Sequence, residues 1–200
     1  MLIMQTTDAS ARKKYIESKN LAKVIWTHET ATSTAVQYHP KGIPGGVIPE
    51  LDSQLPSKAF PDPFKAKISP WHACGPDEEK YMASMRKHAH LSILGTVCRI
   101  RPQDPGSELA ATQWQDTFGV SRVRDLLGFT NARVGFVRGE EGKPEGIISV
   151  TVGVHGQRAK DAILARAREK DVVGADGQVE MVGVRWNFSL TGDDEFASKL

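Results

Sequence analysis

Two histidines fall on neighbouring predicted strands, where their imidazole groups could act together. His28 lies in the run 23–29 and His39 ends the run 33–39, and the short polar connection between the runs predicts a hairpin. A neutral imidazole is a common metal ligand and a general base near neutral pH, so the two side chains could face each other as ligands. A lone strand histidine is more often a hydrogen-bonded packing residue, which keeps the structural interpretation open.

A second group of possible ligands surrounds a predicted helix. It consists of His72, Cys74, His88 and His90. Structural zinc sites usually show paired Cys-x-x-Cys or helical His-x-x-x-His spacing, and this group shows neither. The intervening helix would also separate its members, so the spacing disfavours a zinc site here.

Three residues of the second half could line a substrate pocket. Arg133, Arg185 and Trp186 fall on predicted strands whose side chains can point into a concave sheet face. An arginine beside an aromatic ring would bind a small anionic or aromatic compound there. The commoner alternative is an arginine that lies over the sheet surface with its charge in water.

Composition and motifs exclude several classes of function. The 26 basic and 24 acidic residues give a net charge of +2 without a long single-sign run, so the chain lacks the basic surface typical of nucleic-acid binding. Gly42, Gly45 and Gly46 lack the strand-to-helix context of a phosphate or dinucleotide loop, and no nucleophile–base pair is recognisable. The expected partner is therefore a small-molecule substrate, with no nucleic acid and no membrane.

The cysteines and the apolar runs bear on cellular location. Cys74 and Cys98 are the only two cysteines and lie in unlike contexts, which indicates reduced thiols rather than a disulfide framework. Residues 1–12 lack the apolar run of a signal peptide, and no apolar run is long enough to span a bilayer. A cytoplasmic protein is expected.

The back half alternates between strands and helices. Residues 147–154 predict a half-buried strand, 157–170 an amphipathic helix, and 179–190 a second strand. Upstream, the patterns predict strand 91–100, helix 108–118 and one bent strand or two short ones within 124–138. Two strand–helix–strand units in succession favour an α+β fold with a curved sheet and helices on its outer face.

The front half predicts a helix over 9–21, strands over 23–29, 33–39 and 47–51, and a further helix over 76–90. Pro49 cannot donate a ladder hydrogen bond, which marks the last of these strands as an edge or a short one. The order suggests an internal duplication whose first copy lacks its opening elements. The predicted division is a partial module (1–55, a helix plus three strands), a proline-rich linker and helix (56–90), a main domain (91–190) and a tail (191–200).

Three segments resemble the vicinal oxygen chelate superfamily, which includes glyoxalases, bleomycin-resistance proteins and extradiol dioxygenases. Residues 33–51 resemble the closing hairpin of one of its modules, 96–119 resemble a module opening, and 146–154 with the helix that follows resemble the start of another. The resemblance implies βαβββ modules that form a curved mixed sheet with helices on the outer face. The alternative is a ferredoxin-like βαββαβ domain over 91–190 that forms a dimeric α+β barrel.

The resemblance also implies a metal site built from a first-strand histidine and a last-strand glutamate. Glu50 matches the glutamate position and would be both ligand and catalytic residue, His90 is nearest to the histidine position, and His39 is a further candidate ligand. The metal would be divalent Zn, Fe, Mn or Ni. The strand at Ile147 has no histidine, and Asn187 stands where a glutamate is expected, so the last module is expected to be metal-free.

Two functions follow from this interpretation. The first is a glyoxalase-like, metal-dependent enzyme of the isomerase, lyase or dioxygenase type that acts on a small oxygenated organic compound. The alternative is a catalytically silent small-ligand-binding or dimerisation domain of the same fold. In either case an incomplete first module would leave strand edges uncovered, which predicts a homodimer.

Overall fold

The computed structural model describes residues 1–58, 61–65 and 78–192, with the side chains of Glu78 and Tyr81 left aside. Expectations for His72, Cys74 and the tail beyond residue 192 lie outside these ranges. None of the described helices is long and apolar enough to cross a membrane. The strands are β1 (Leu2–Gln5), β2 (Val24–Glu29), β3 (Ser33–Tyr38), β4 (Pro49–Gln54), β5 (Leu91–Arg99), β6 (Ser121–Val123), β7 (Leu126–Gly128), β8 (Arg133–Val137), β9 (Gly146–His155), β10 (Val179–Met181) and β11 (Val184–Thr191). The helices are α1 (Ala9–Ser18), α2 (Glu78–Lys87), α3 (Ser107–Phe118) and α4 (Gln157–Glu169).

One βαβββ module is repeated along the chain. In the first copy the strands lie in the order β1-β4-β3-β2, and in the second copy in the equivalent order β5-β8-β7-β6. The first strand runs parallel to the last strand in both copies. The third copy has β9 parallel to β11 and β10 antiparallel to β11. Its missing strand is reduced to a single bridge between Val173 and Val179.

The three copies form two sheets. Sheet A is the four-stranded sheet of the first module, and sheet B is a seven-stranded sheet of the second and third modules. The two modules of sheet B join through their first strands, β5 and β9, which pair antiparallel. These curved mixed sheets confirm the expected α+β class. Because the pairing of β5 with β9 joins two modules into one seven-stranded sheet, residues 91–190 do not form the four-stranded sheet of a ferredoxin-like βαββαβ domain.

The prediction of an incomplete first module is wrong. Residues 2–5 form β1, which pairs parallel with β4 and places Leu2 beside Pro49. The run is only four residues long, and the pairing that stabilises it is non-local, so local sequence patterning gives a weak signal for it. β4 consequently lies inside the sheet rather than at its edge. Pro49 is tolerated because it is the first residue of the strand.

Two strand boundaries also differ from expectation. The strand expected over 47–51 is β4, which begins at Pro49 and continues to Gln54. The expected single strand over 179–190 is a hairpin, in which Val182 and Gly183 have φ of 50° and 75°. Two consecutive positive φ angles are typical of the tight turn whose twist matches that of antiparallel strands.

The larger hydrophobic core joins the first and second modules. Trp114 of α3 is fully buried, and its Nε1–H donates to the carbonyl oxygen of Pro44 at 2.9 Å. The ring of Phe118 packs edge-on against Tyr38 of β3, with centroids 5.5 Å apart. Arg12 of α1 donates to the main-chain oxygens of Thr117 and Asp116 at the end of α3. The two modules therefore share one interior, while the predicted domain boundaries stay a prediction.

The indole hydrogen bond allows a test of this shared core. Replacing Trp114 with Phe keeps a large ring but leaves the buried Pro44 oxygen without its donor, so we expect the free energy of unfolding to fall by about 1–3 kcal/mol. Urea denaturation measures the change. The matched control is Trp26→Phe, because Trp26 is 46% exposed. Equal losses of unfolding free energy in the two variants would show that the hydrogen bond from Trp114 to Pro44 does not stabilise the core.

Candidate functional site

The three predicted metal ligands do not form a site. Glu50 lies in β4 of sheet A, whereas His90 directly precedes β5 of sheet B. The Nδ1 of His39 accepts a hydrogen bond from the main-chain N–H of Lys41 at 2.9 Å. Within residues 1–58, 61–65 and 78–192, no group of three or more His, Cys, Asp or Glu side chains could hold a metal ion. The residues present therefore do not fit the expected divalent metal.

His28 and His39 do not face each other either. The antiparallel register of β2 and β3 places His28 opposite Ala35, while the main-chain N–H of His39 donates to Lys23 at the other end of the hairpin. His28 instead stacks on Trp26, with ring centroids 5.7 Å apart and the planes within 8° of parallel.

The predicted pocket residues of sheet B are divided between its two faces. Trp186 packs on the side of α4, against the cluster formed by Val150, Val152 and Val154. Arg185 alternates with Trp186 and so points to the other face, where it lies 3.9 Å from Glu180. Arg133 donates to the main-chain oxygens of Phe129 and Ala132. Since three strand spacings, roughly 14 Å, separate the strands of Arg133 and Arg185, the three residues do not converge on one small ligand.

Sheet A has one face that packs in the hydrophobic core and a second face that carries both polar and apolar side chains. Successive strand side chains point to opposite faces, so Val36 and Leu51 pack with Ile16 of α1 in the core. The residues between them project from the side opposite α1, and we call this side the helix-free face because the helix of this module does not lie on it. Two rows cross this face in register: Trp26, Gln37, Glu50 and Ile3 form the first, and His28, Ala35, Asp52 and Gln5 form the second.

A pair of carboxyl groups lies at the centre of the helix-free face. Glu50 and Asp52 are two residues apart on β4, and Glu50 is only 4% exposed. Gln37 donates from Nε2 to Glu50 Oε2 at 2.6 Å. Burial, the neighbouring charge of Glu50 and a hydrogen bond with Glu50, in that order of size, raise the pKa of Asp52 from its ordinary value of 3.8 to about 7. Asp52 therefore keeps its proton to near neutral pH.

The pair is flanked by an aromatic stack on one side and by a main-chain contact on the other. Asp52 Oδ1 is buried and accepts no hydrogen bond from the described residues. The exposed stack of Trp26 and His28 lies two strands away, at roughly 10 Å, which a small organic molecule can span. On the other flank, Gln5 donates to the main-chain oxygen of Pro63 at 3.4 Å. The face thus combines a proton donor or acceptor active near pH 7 with a flat aromatic surface.

Asp52 is the site residue that sequence reasoning missed. It falls just beyond the strand predicted over 47–51, because polar residues and prolines follow it closely. The signal was nevertheless present, since Glu50, Asp52 and Gln54 alternate with the buried Leu51 and Ser53. A period of two is the pattern of a strand with one polar face.

The chain is similar to known proteins in its structure. No protein-family model and no curated protein sequence matches the chain. A hypothetical protein from Staphylococcus aureus matches with a TM-score of 0.51 and 12% identity, over 94% of this chain and 64% of that one. BphC, a halotolerant catechol dioxygenase, matches with a TM-score of 0.52 and 12% identity, over 95% of this chain and 66% of that one. The 2,3-dioxygenase LapB from Pseudomonas sp. KL28 matches at 13% identity, over 95% of this chain and 70% of that one, but its TM-score of 0.38 supports no argument.

These likenesses support the fold alone. At 12% identity, the match to a catechol dioxygenase agrees with the glyoxalase and dioxygenase type of fold that the sequence resemblance implied. The chain spans slightly less than two thirds of the length of the first two structures.

The raised pKa of Asp52 predicts a specific dependence of stability on pH. The folded protein holds a proton to about pH 7, whereas the unfolded chain releases it near the ordinary value of 3.8. The contribution of this group to stability is therefore complete at low pH and decreases as the pH rises from about 4 to about 7. Asn cannot titrate, so the free energy of unfolding of Asp52→Asn should rise relative to wild type across this window.

Urea unfolding of both proteins at several pH values measures the difference. The matched control is Glu140→Gln, because Glu140 is an exposed carboxylate whose pKa is lowered chiefly by its hydrogen bond with Lys143. A wild-type minus Asp52→Asn difference that stays constant between pH 4 and 7 would show that Asp52 ionises normally in the folded protein.

Proposed function

We propose that this chain is a glyoxalase-like protein that binds a small oxygenated organic molecule on the helix-free face of sheet A and transfers protons to and from it. The carboxyl pair of Glu50 and Asp52 is the observation that supports this proposal. A carboxyl group with a pKa of about 7 is half-ionised at neutral pH, which is the condition under which one group serves best as both acid and base.

The proposed reaction is the enolisation or isomerisation of an α-oxygenated carbonyl compound. Near pH 7 about half of the molecules carry a proton on Asp52, and the reaction proceeds from this protonated form. The ionised carboxylate takes a proton from the carbon next to the carbonyl group, and the protonated carboxyl group gives its proton to the carbonyl oxygen. The product is an enediol. Return of the abstracted proton to the former carbonyl carbon, with transfer of the proton of the other hydroxyl group to the carboxylate that acted as the acid, completes an isomerisation. Gln37 orients the pair through its hydrogen bond to Glu50.

A metal-dependent lyase or dioxygenase is the function that the resemblance to the vicinal oxygen chelate superfamily implies. The described His, Asp and Glu residues do not fit a three-ligand metal centre. The proposed proton transfer therefore uses only side chains of sheet A. A catalytically silent ligand-binding protein is the second candidate, supported by the exposed stack of Trp26 and His28.

Deuterium exchange tests the proposed chemistry. With hydroxyacetone and dihydroxyacetone as probes in D₂O, we expect wild-type protein to accelerate exchange of the hydrogens next to the carbonyl group. Asp52→Asn should reduce this acceleration about 100-fold or more, since general acid–base catalysis supplies a factor of that order. Proton NMR follows the exchange.

Glu140→Gln serves as the control and should exchange the probes at the wild-type rate. Equal acceleration by wild-type protein and Asp52→Asn would contradict the role of the pair. If the probes shift the NMR signals of Trp26 and His28 without any accelerated exchange, the protein is a silent binder.

Addition of divalent metal distinguishes the metal-dependent hypothesis. We expect no increase in Tm when Zn²⁺, Ni²⁺, Mn²⁺ or Fe²⁺ is added, because a metal ion stabilises the folded protein only if it binds to it. An increase of several degrees that disappears in Glu50→Gln would instead establish Glu50 as a metal ligand.

A further inference from the structure

We propose that the helix-free face of sheet A selects carbonyl compounds in which an aromatic ring is bonded directly to the carbonyl carbon, and that Ala35 is the residue that makes room for this ring. The inference rests on the proposed function, because it assigns the substrate class of the same site. Two features of the face support it. The space beside the carboxyl pair lies along the second row, and this row leads to the stack of Trp26 and His28.

Side chains fill the first row of the face. Gln37 lies between Trp26 and Glu50, and its Nε2 donates to Glu50 Oε2 at 2.6 Å. The same amide nitrogen lies 3.7 Å from the sulfur atom of Met1. A ligand that approached Glu50 along this row would have to displace both contacts. The space above Glu50 is therefore taken by side chains of the protein itself.

The second row has a depression at its centre. Ala35 lies between His28 and Asp52, and its methyl group is the smallest side chain in either row. Gln37 and Ser33, two residues away along β3 on the same face, form the sides of the depression. A flat group can therefore lie above Ala35 and beside Asp52.

The depression is covered at one end and bordered by aromatic rings at the other. Behind Asp52, Gln5 donates to the main-chain oxygen of Pro63 at 3.4 Å, and Pro63 is buried. At the other end lies the aromatic pair, in which Trp26 is 46% exposed and stacks in parallel on the exposed ring of His28. A ligand held by Asp52 therefore extends towards the aromatic pair, where a ring can stack or pack edge-on.

The strand spacing sets the length of the ligand. Asp52 and the aromatic pair lie two strand spacings apart, roughly 10 Å, and strand side chains stand nearly perpendicular to the sheet. A hydrogen bond to Asp52 occupies about 3 Å of this distance, and a van der Waals contact with the aromatic pair occupies about 3.5 Å. The remaining length, about 3.5 Å, is close to the distance from a carbonyl oxygen to the middle of a ring bonded directly to the carbonyl carbon. A linker between the ring and the carbonyl group would exceed this length.

The substrate class is therefore an aryl ketone with a hydroxyl group on the adjacent carbon. The simplest example is α-hydroxyacetophenone, which differs from hydroxyacetone by a phenyl group in place of the methyl group. The carboxyl pair would exchange protons with its hydroxyl-bearing carbon and its carbonyl oxygen, as in the proposed reaction. Its ring would lie above Ala35 against the aromatic pair.

Deuterium exchange of these two ketones tests the selectivity. We expect the KM of wild-type protein for α-hydroxyacetophenone to lie about tenfold or more below that for hydroxyacetone, because the ring is removed from water on binding. Trp26→Ala, which removes a ring contact, and Ala35→Leu, which fills the depression, should each reduce this preference about tenfold. Tyr15→Ala is the matched control and should keep the wild-type preference, because Tyr15 is a 41% exposed aromatic residue of α1.

A ligand that cannot enolise separates binding from reaction. We expect benzamide to shift the NMR signal of the Trp26 indole N–H, and acetamide at the same concentration to leave it unchanged. Exchange of both ketones with equal KM, in wild-type protein and Trp26→Ala alike, would overturn the assigned substrate class while the proposed reaction stands. Binding of benzamide without accelerated exchange of either ketone would support the aromatic selectivity and contradict the proposed reaction. Failure of both measurements would overturn both proposals.

Discussion

The parallel pairing between the first and last strands of a module is the interaction on which the structure depends. It recurs in β1 with β4, β5 with β8, and β9 with β11. Parallel neighbours require a crossover, and a helix in that crossover covers one face of the sheet. The opposite face is left without a helix of its own module. Each repeat of this pairing therefore produces a packed side and a side available for polar groups.

In sheet A the difference between the two faces places titratable carboxyl groups next to the hydrophobic core without disrupting the core. Leu51 contributes to the interior, while Glu50 and Asp52, its neighbours in sequence, meet on the other face. The strand fixes their separation, so the carboxyl groups cannot avoid each other by moving apart. Partial burial then favours the protonated form of Asp52. Burial, together with the fixed spacing of the two carboxyl groups on the strand, thus raises the pKa of Asp52.

Much of the fold could be predicted from the sequence. The helices at Ser107–Phe118 and Gln157–Glu169 and the strand at Gly146–His155 follow from periodic apolar residues, and the structure has them within one or two residues of expectation. β1 could not be recognised in this way, because four residues carry little periodic signal and their partner lies more than forty residues away. The hairpin at Val182 and Gly183 was missed because Val is unusual at positive φ.

The site was less accessible to sequence reasoning than the fold. Glu50 was singled out through a family resemblance, but the partners proposed for it were histidines, and the structure gives it Gln37 and Asp52. The alternation that extends β4 to Gln54 was hidden by the prolines that follow. Cross-strand neighbours depend on register, and register is fixed by pairing between distant segments rather than by local composition.

The separation of the two hydrophobic clusters has a consequence for cooperativity. Arg12 ties α1 to the end of α3, and Trp114 and Phe118 lie in the cluster shared by the first two modules. Those modules consequently form a single cooperative unit that loses its structure together. The cluster around Val152 and Val154 belongs mainly to the third module and connects to the rest largely through the β5–β9 ladder. That module can open as a smaller unit while the remainder stays folded, so local unfolding is expected within residues 146–191.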